Sequence, residues 1–258
     1  MIMKKNKLNS GFSVLEVLIS SLILLILMTI SSEIMYHSLK ISREEQGLAF
    51  LRKEALKGMH WFTSDLRITS GASFDYDRDP VANVTMVMSF LTNQENVLAS
   101  SGTVSKDPNG KLVAVTPVWY GYVVYYLISD PEKPATADST QKYLLKRAKR
   151  IRPADSYYSV ILSKPYYEKV FNPYMSVAKP LNSADITTLL NKWVILSEGD
   201  KNRPDTIARN IYDVNLIEAM PDYVTLTIET RDKNPRGGEL KVVYTSRILM
   251  RNSNLQSH

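Results

Sequence analysis

The sequence contains no cysteine among its 258 residues. This absence excludes a disulfide framework, a thiol nucleophile and a cysteine-based metal site. Histidine is also scarce: His37, His60 and His258 are scattered along the chain, which favours solvated or partner-facing roles over metal binding. A glycine-rich phosphate loop, a nucleophile elbow and an HExxH motif are all missing. We therefore expect a chain that is not an enzyme, with no catalytic residues and no cofactor.

The chain also lacks a large excess of positive over negative charge, with 32 lysine and arginine residues against 26 aspartate and glutamate residues. The formal net charge is +6, and three of the lysines, Lys4, Lys5 and Lys7, precede a long apolar run. A balance of this size is too modest to argue for nucleic-acid binding by itself. The length and the 44% hydrophobic content suffice for one membrane anchor and one globular domain.

The apolar run covers residues 17–31, and Glu16 is the only charged residue between positions 12 and 32. Residues 22–28 (LILLILM) are apolar on every helical face, as in a helix that lies in lipid or is deeply buried. At 1.5 Å per residue the segment can cross a hydrocarbon core of roughly 30 Å. The basic flank predicts a cytoplasmic N-terminus, with the rest of the chain outside.

Glu16 is costly in such a segment. An unpaired carboxylate in lipid costs at least ~2.5 kcal/mol, and the span contains no basic residue to pair with it. If the chain were cut between Gly11 and Phe12, Phe12 would acquire an α-amino group about one helical turn from Glu16. That amine, in the same or a neighbouring subunit, would neutralise the carboxylate.

These features resemble the class III signal of type IV prepilins and pseudopilins, in which a basic leader ends in Gly, Phe follows, and Glu is the fifth mature residue. The resemblance implies that a prepilin peptidase cuts after Gly11 and methylates the amine of Phe12. It implies that Glu16 pairs with a neighbouring N-terminus during assembly. The implied partners are other minor and major pilins or pseudopilins, the peptidase, an inner-membrane assembly platform and membrane lipid.

The resemblance also implies a single-pass inner-membrane protein with a periplasmic C-terminal domain, which enters, or primes the assembly of, a type IV pilus or a type II secretion pseudopilus. Residues 62–67, 119–127 and 220–228 are similar to segments of larger minor pilins and J-type minor pseudopilins, and the length favours a minor subunit.

Two plainer interpretations of the N-terminal segment compete with the prepilin signal. One is an ordinary secretory signal, for which residues 31–33 (SSE) are a poor cleavage site. The other is a simple anchor with a coincidental Glu16.

Four segments follow from this organisation: a cleaved leader (1–11), a transmembrane and assembly half-helix (12–32), an amphipathic half-helix (33–70) and an extracytoplasmic β-rich domain (71–258). The amphipathic half has an apolar stripe at helical spacing. Its residues are Leu48, Leu51, Ala55, Met59, Phe62 and Leu66. The fold class expected is α+β, a pilin-like fold in which a long N-terminal helix packs on an antiparallel sheet.

Within the last segment, alternation and turn residues predict strands at 84–91, 112–116, 119–129, 142–148, 211–219, 223–230 and 240–251. A turn is expected at 107–110 (DPNG) and a surface loop at 130–140. Residues 151–205 contain five prolines and are expected to form an irregular excursion, with a short helix at 183–196 capped by Ser183.

Asp75, Asp77 and Asp79 have the spacing that begins a calcium loop. Pro80 occupies the next position, where such a loop needs glycine, and Met86 stands where it needs glutamate. A solvated turn is therefore the default interpretation, and calcium binding is the alternative.

The most basic stretch runs from position 142 to position 152. Its cationic residues are Lys142, Lys146, Arg147, Lys149, Arg150 and Arg152. It could bind DNA, anionic lipid or an acidic partner, although such a run is more often a solvated strand edge. DNA is thus a less favoured partner. The alternative functions are a membrane-anchored binding module for DNA uptake or a surface ligand, and a tethered hydrolase for which no residues can be named.

Overall fold

The computed structural model describes residues 13–69, 71–92, 103–106, 112–116, 121–132, 142–151, 180–196, 200 and 202–250. Gly11, Phe12 and Arg152, and the expected turn at 107–110, lie outside these residues. Two helices occur in the described part, α1 (Val14–Leu66) and α2 (Ser183–Val194). The strands are β1 (Asp75–Val81), β2 (Val84–Thr92), β3 (Thr103–Lys106), β4 (Leu112–Thr116), β5 (Gly121–Ser129), β6 (Tyr143–Ile151), β7 (Asp205–Ala219), β8 (Tyr223–Lys233) and β9 (Glu239–Leu249).

The long helix predicted from the apolar run and the amphipathic stripe is confirmed as α1. The chain divides into two compact units after Gln46, so that one unit holds the first part of α1 and the other holds everything from Gly47 onward. In the second unit, five residues of the predicted stripe are buried. They are Leu51, Ala55, Met59, Phe62 and Leu66.

The second unit contains a seven-stranded sheet in which every neighbouring pair is antiparallel. The strand order is β1-β2-β5-β6-β7-β8-β9, and β3 and β4 form a separate two-stranded sheet. The sheet curls so far that β1 approaches β7, although three strands lie between them in the strand order. The hydroxyl of Tyr76 in β1 donates a hydrogen bond to the carbonyl of Val214 in β7. The α+β class is therefore confirmed for the described residues.

The concave face of the sheet packs against residues 51–66 of α1 and forms the larger core. Strand β8 shows the alternation expected of a sheet with one buried face: Val224, Leu226 and Ile228 are fully buried and the residues between them are not. The opposite face of β2, β5 and β6 is covered by α2, which forms a second core around Trp193 and Tyr126. Strand β2 is thus buried on both faces. Its weak alternation predicted a strand but did not predict that both faces would be buried.

Several boundaries differ from the sequence predictions by a few residues, and two of the differences have a clear physical reason. Helix α2 is capped by Asn182 rather than Ser183, because the extended backbone of Asn182 lets its side-chain oxygen accept the N–H of Ala184 at 3.1 Å. Strand β7 begins at Asp205, six residues before the predicted start, because pairing with β6 extends it.

Gly71 lies in a short 3-10 turn (Gly71–Ser73) where the chain leaves α1. A Cβ atom at this position would lie 2.4 Å from the carbonyl oxygen of Pro221, in the turn between β7 and β8. Only glycine fits this close approach to another backbone, because a backbone carbonyl cannot move aside as a flexible side chain can.

Candidate functional site

The first part of α1 presents apolar side chains to its surroundings on every face. Leu24 is 57% exposed, and Val14, Leu18 and Leu27 are exposed to a similar or greater extent. Among the described residues, α1 is the helix that is long and apolar enough to cross a membrane. Burying this surface in lipid or against other apolar helices would be strongly favourable.

Glu16 lies in the first turn of α1 and forms a capping box with Ser13. The backbone N–H of Ser13 donates to Oε2 of Glu16 at 3.0 Å, and the backbone N–H of Glu16 donates to Oγ of Ser13 at 3.2 Å. The carboxylate also lies at the positive end of the helix dipole. Glu16 therefore has a hydrogen-bond partner inside its own chain, and within residues 13–69 and the other described ranges no cation pairs with it.

From the sequence, a cation is the only partner expected for Glu16, and the local contact with Ser13 is missed. The signal was present, because serine followed three residues later by glutamate, just before an apolar run, is a helix-start signature. Gly11 and Phe12, the expected cleavage and methylation residues, lie outside the described residues, so the structure does not place them relative to Glu16.

A buried ion pair fixes the end of α1 to the sheet. Asp65 is fully buried and accepts two hydrogen bonds from the guanidinium of Arg147 in β6, at 2.7 and 2.8 Å. The hydroxyl of Tyr125 in β5 donates to the same carboxylate. Trp61 lies one helical turn before Asp65, and the centroid of its ring is 4.4 Å from the guanidinium carbon of Arg147. We call Asp65, Arg147, Tyr125 and Trp61 the helix clamp.

The electrostatics of the helix clamp keep its ions paired. Burial and the adjacent Asp65 carboxylate raise the pKa of Tyr125 well above its usual value, so the phenol stays protonated as a donor. Burial alone would lower the pKa of Arg147, but its hydrogen bonds to Asp65 raise it. A bidentate pair of this kind fixes orientation as well as distance.

Two further polar contacts tie α1 to the sheet, about three to four helical turns before Asp65. Glu54 is buried, and its carboxylate accepts the backbone N–H of Arg209 in β7 at 2.7 Å. Thr230 of β8 donates its hydroxyl to the carbonyl of Leu51 at 3.3 Å. With the helix clamp, these contacts set both the position and the rotation of α1 on the sheet.

The turn predicted at Asp75, Asp77 and Asp79 is wrong, because these residues belong to strand β1, although Asp77 and Asp79 are exposed to solvent as expected. Two of the carboxylates bind the next residue's backbone N–H, Asp75 to Tyr76 and Asp77 to Arg78. Arg78 itself pairs with Asp213 of β7 at 2.7 Å, which draws β1 to β7. Within the residues that the structure describes, no three histidine, aspartate or glutamate side chains are grouped to hold a metal ion.

Two residues of the basic stretch, Lys146 and Arg147, are not on the solvated strand edge that its composition favours. They lie in β6 where it pairs with β5 on one side and β7 on the other. Lys146 is 3% exposed and Arg147 6% exposed, and Lys142 pairs with Asp232. The prediction failed because Asp65, the partner of Arg147, is 82 residues away in sequence. The side chains of Lys149 and Arg150, and all of Arg152, lie outside the described residues.

The described residues therefore define an α+β protein whose N-terminal helix could span a membrane. No family model matches the chain, and neither a curated protein nor a solved structure matches it.

Proposed function

We propose that the chain is a minor pilin or minor pseudopilin subunit with a pilin-like fold. In this proposal a prepilin peptidase removes residues 1–11 and methylates Phe12. The segment 12–32 anchors the subunit in the inner membrane and then packs among other pilins in a pilus or a type II secretion pseudopilus. The domain from residue 71 onward lies outside the cytoplasm and selects the neighbouring subunits.

The observation that carries the proposal is an all-round exposed apolar helix that begins with one carboxylate. A simple anchor gains from Glu16 only a helix cap, which serine alone can supply, while an acid near lipid lowers the stability of insertion. The backbone N–H of Ser13 donates one hydrogen bond to the Glu16 carboxylate but brings no charge, and no cation among the described residues pairs with it. An α-amine formed at Phe12 would supply the missing positive charge about one helical turn away.

The alternative of a membrane-anchored module that binds DNA receives no support from the described residues. Its candidate surface was the basic stretch, and the buried positions of Lys146 and Arg147 remove both from any phosphate-binding surface. We therefore retain a single proposed function.

The test begins with the N-terminus of the protein purified from its native membrane. Mass spectrometry should find a methylated Phe12 as the first residue, and Gly11→Arg should leave the leader attached. An intact Met1 in the native protein would contradict the proposal.

A pair of glutamate variants then separates processing from assembly. Glu16→Ala should still be cleaved but should disappear from sheared fibres, because its charge no longer pairs with a neighbour. Glu33→Ala is the matched control, since Glu33 is also an exposed acid on α1 but lies beyond the apolar run. Normal fibre incorporation of Glu16→Ala would contradict the role assigned to Glu16.

A further inference from the structure

The two edge strands of the seven-stranded sheet differ in how they are protected. Strand β1 contains Pro80 and a register irregularity between Arg78 and Val81, and its side chains bind β7. These features blunt an edge. Strand β9 has eleven residues without proline or glycine, and its pairing with β8 is regular from Glu239 to Leu249. In the described part of the chain, no strand pairs with the outer side of β9.

The hydrogen-bond phase of β9 follows from the bonds that close its two ends. The N–H of Met250 donates to the carbonyl of Asp222, and the N–H of Asn234 donates to the carbonyl of Gly238. Because antiparallel bonds recur every second residue, the even-numbered residues of β9 point their backbone groups at β8. The odd-numbered residues, from Lys241 to Arg247, therefore point their N–H and C=O groups away from the sheet.

The side chains of the same odd-numbered residues are also exposed. Val243 is 47% exposed and Leu249 64% exposed, and the charged Glu239, Lys241 and Arg247 are on the same face. Along this face Glu239 begins the strand, Arg247 lies near its end, and Val243 lies midway between these two charges. Such an order is self-complementary when two identical strands run in opposite directions.

We propose that β9 pairs antiparallel with β9 of a second copy of this chain, centred on Val243. In this register Val243 faces Val243 of the second copy and Lys241 faces Thr245. Glu239 faces Arg247, and the two-fold symmetry repeats that ion pair at the other end. The facing odd-numbered residues exchange main-chain hydrogen bonds, which join the two sheets into one of fourteen strands. The proposal rests on the sheet alone and does not depend on the proposed function.

The charges also disfavour one neighbouring register. A shift of the centre by one residue, to Tyr244, would place Lys241 opposite Arg247 twice, and directly opposed like charges destabilise a strand pair. Glu239 and Arg247 already contact Arg231 at 3.3 Å and Glu218 at 3.8 Å within the chain. The Glu239 side chain is 41% exposed and that of Arg247 60%, so each can accept a second partner across the new strand pair.

Cysteine cross-linking of the full chain in membranes tests the pairing directly, because the natural sequence contains no cysteine. Facing residues of a hydrogen-bonded antiparallel pair have Cα atoms about 5.5 Å apart, within the range that a disulfide spans. Val243→Cys should therefore form a disulfide-linked dimer on mild oxidation. Thr245→Cys and Lys241→Cys should each fail to do so, because like positions would then be roughly 14 Å apart along the strand.

Mixing the two control variants sharpens the test. Lys241→Cys and Thr245→Cys chains expressed together should form a mixed dimer, although neither variant forms one alone. Failure of Val243→Cys to link to itself, or self-linking at position 245 instead, would overturn the proposal. Linkage of the Val243→Cys variant only to a different protein would also overturn it, since the occupant would then be a foreign strand.

Two variants without cysteine examine the forces involved. Val243→Pro removes an outward N–H and should abolish the dimer without changing the melting temperature of the monomer, whereas Tyr244→Pro removes a bond to β8 and should lower that temperature. Glu239→Arg should weaken the dimer at least tenfold, and the double variant Glu239→Arg with Arg247→Glu should restore it. A dimer that persists in Val243→Pro, or no rescue by the double variant, would contradict pairing through β9.

Discussion

Leu24, in the first part of helix α1, is 57% exposed, whereas Leu51, in the second part, is completely buried. The two leucines belong to one continuous helix and to the same residue type. Their surroundings differ because residues near Leu24 are apolar on every face, while residues near Leu51 alternate between an apolar stripe and charged faces. The first pattern needs an apolar medium or apolar neighbours, and the second needs one sheet.

Polar contacts reinforce this difference. From residue 51 onward, α1 is held by the helix clamp, by Glu54 and by the carbonyl of Leu51, each of which has a specific partner on the sheet. In the apolar run, the side-chain hydrogen bonds are local to the helix, from Ser21 to the carbonyl of Leu18 and from Thr29 to that of Leu25. The second part of α1 is thus specified in position by its polar contacts, and the apolar run is not.

The largest expected effect comes from removing the acid of the helix clamp. Asp65→Ala leaves the Arg147 guanidinium buried without its counter-charge, which should cost about 3–5 kcal/mol of unfolding free energy. The measurement is denaturant unfolding of the full chain in detergent. Arg67→Ala is the control, because Arg67 is exposed two residues later and its loss should change stability by under about 0.5 kcal/mol. Equal effects of the two variants would contradict the clamp.

A matched pair of leucine truncations compares the two parts of α1 directly. Leu51→Ala should lower the unfolding free energy of the sheet-containing unit by about 2–5 kcal/mol, because it opens a cavity in the core. Leu24→Ala should leave the same transition within about 0.5 kcal/mol, since Leu24 is outside that core. Both transitions can be followed by the near-ultraviolet signal of the buried aromatic residues. A comparable loss in Leu24→Ala would show that the apolar run contributes to the core.

The smallest effect should come from Tyr125→Phe, which removes one hydrogen bond to Asp65. The expected loss at neutral pH is about 1.5–3 kcal/mol, because the acceptor of the lost hydrogen bond, the Asp65 carboxylate, is charged. The variant should also change the alkaline limb of the stability curve. The pKa of Tyr125 is raised in the folded protein, so above about pH 10 the unfolded state loses a proton that the folded state keeps.

Stability should therefore fall as pH rises beyond about 10, with Tyr125 contributing up to about 1.4 kcal/mol per pH unit. Tyr125→Phe should show a shallower decline, measured as denaturation midpoints between about pH 8 and pH 11.5, a window that brackets the ordinary tyrosine pKa. Tyr223→Phe serves as a control because Tyr223 is only partly buried. Parallel curves for the natural protein and Tyr125→Phe would contradict the shifted pKa.

Local patterns predicted much of this fold. The stripe from Leu51 to Leu66 predicted the buried face of α1, and alternation in β8 predicted which residues face the core. Both succeeded because helix and strand periods fix which residues share a face, whatever lies opposite. The turn between β8 and β9, with Gly237 and Gly238 at positive φ, was predictable for the same local reason.

Long-range pairing was not predictable. Lys146 and Arg147 have the composition of a solvated edge, and they are buried only because Thr206 and Asp65 bind them from distant parts of the chain. Asp75 to Asp79 suggested a turn by composition, but pairing with β2 and the link from Arg78 to Asp213 make the segment a strand. Partner identity, which residue type does not encode, decided both cases. For the apolar run, the residue pattern predicted the helix but not the hydrogen bonds between Glu16 and Ser13 at its start.

Gly71 couples two segments that are far apart in the chain. The backbone at the exit of α1 and the carbonyl of Pro221 are in contact with no space for even one methyl group between them. A chimera that imports the hairpin β7–β8 from a different chain would have to import a compatible residue 71 as well. Lengthening the turn around Pro221 would likewise force the exit of α1 to move, so these two segments can diverge only together.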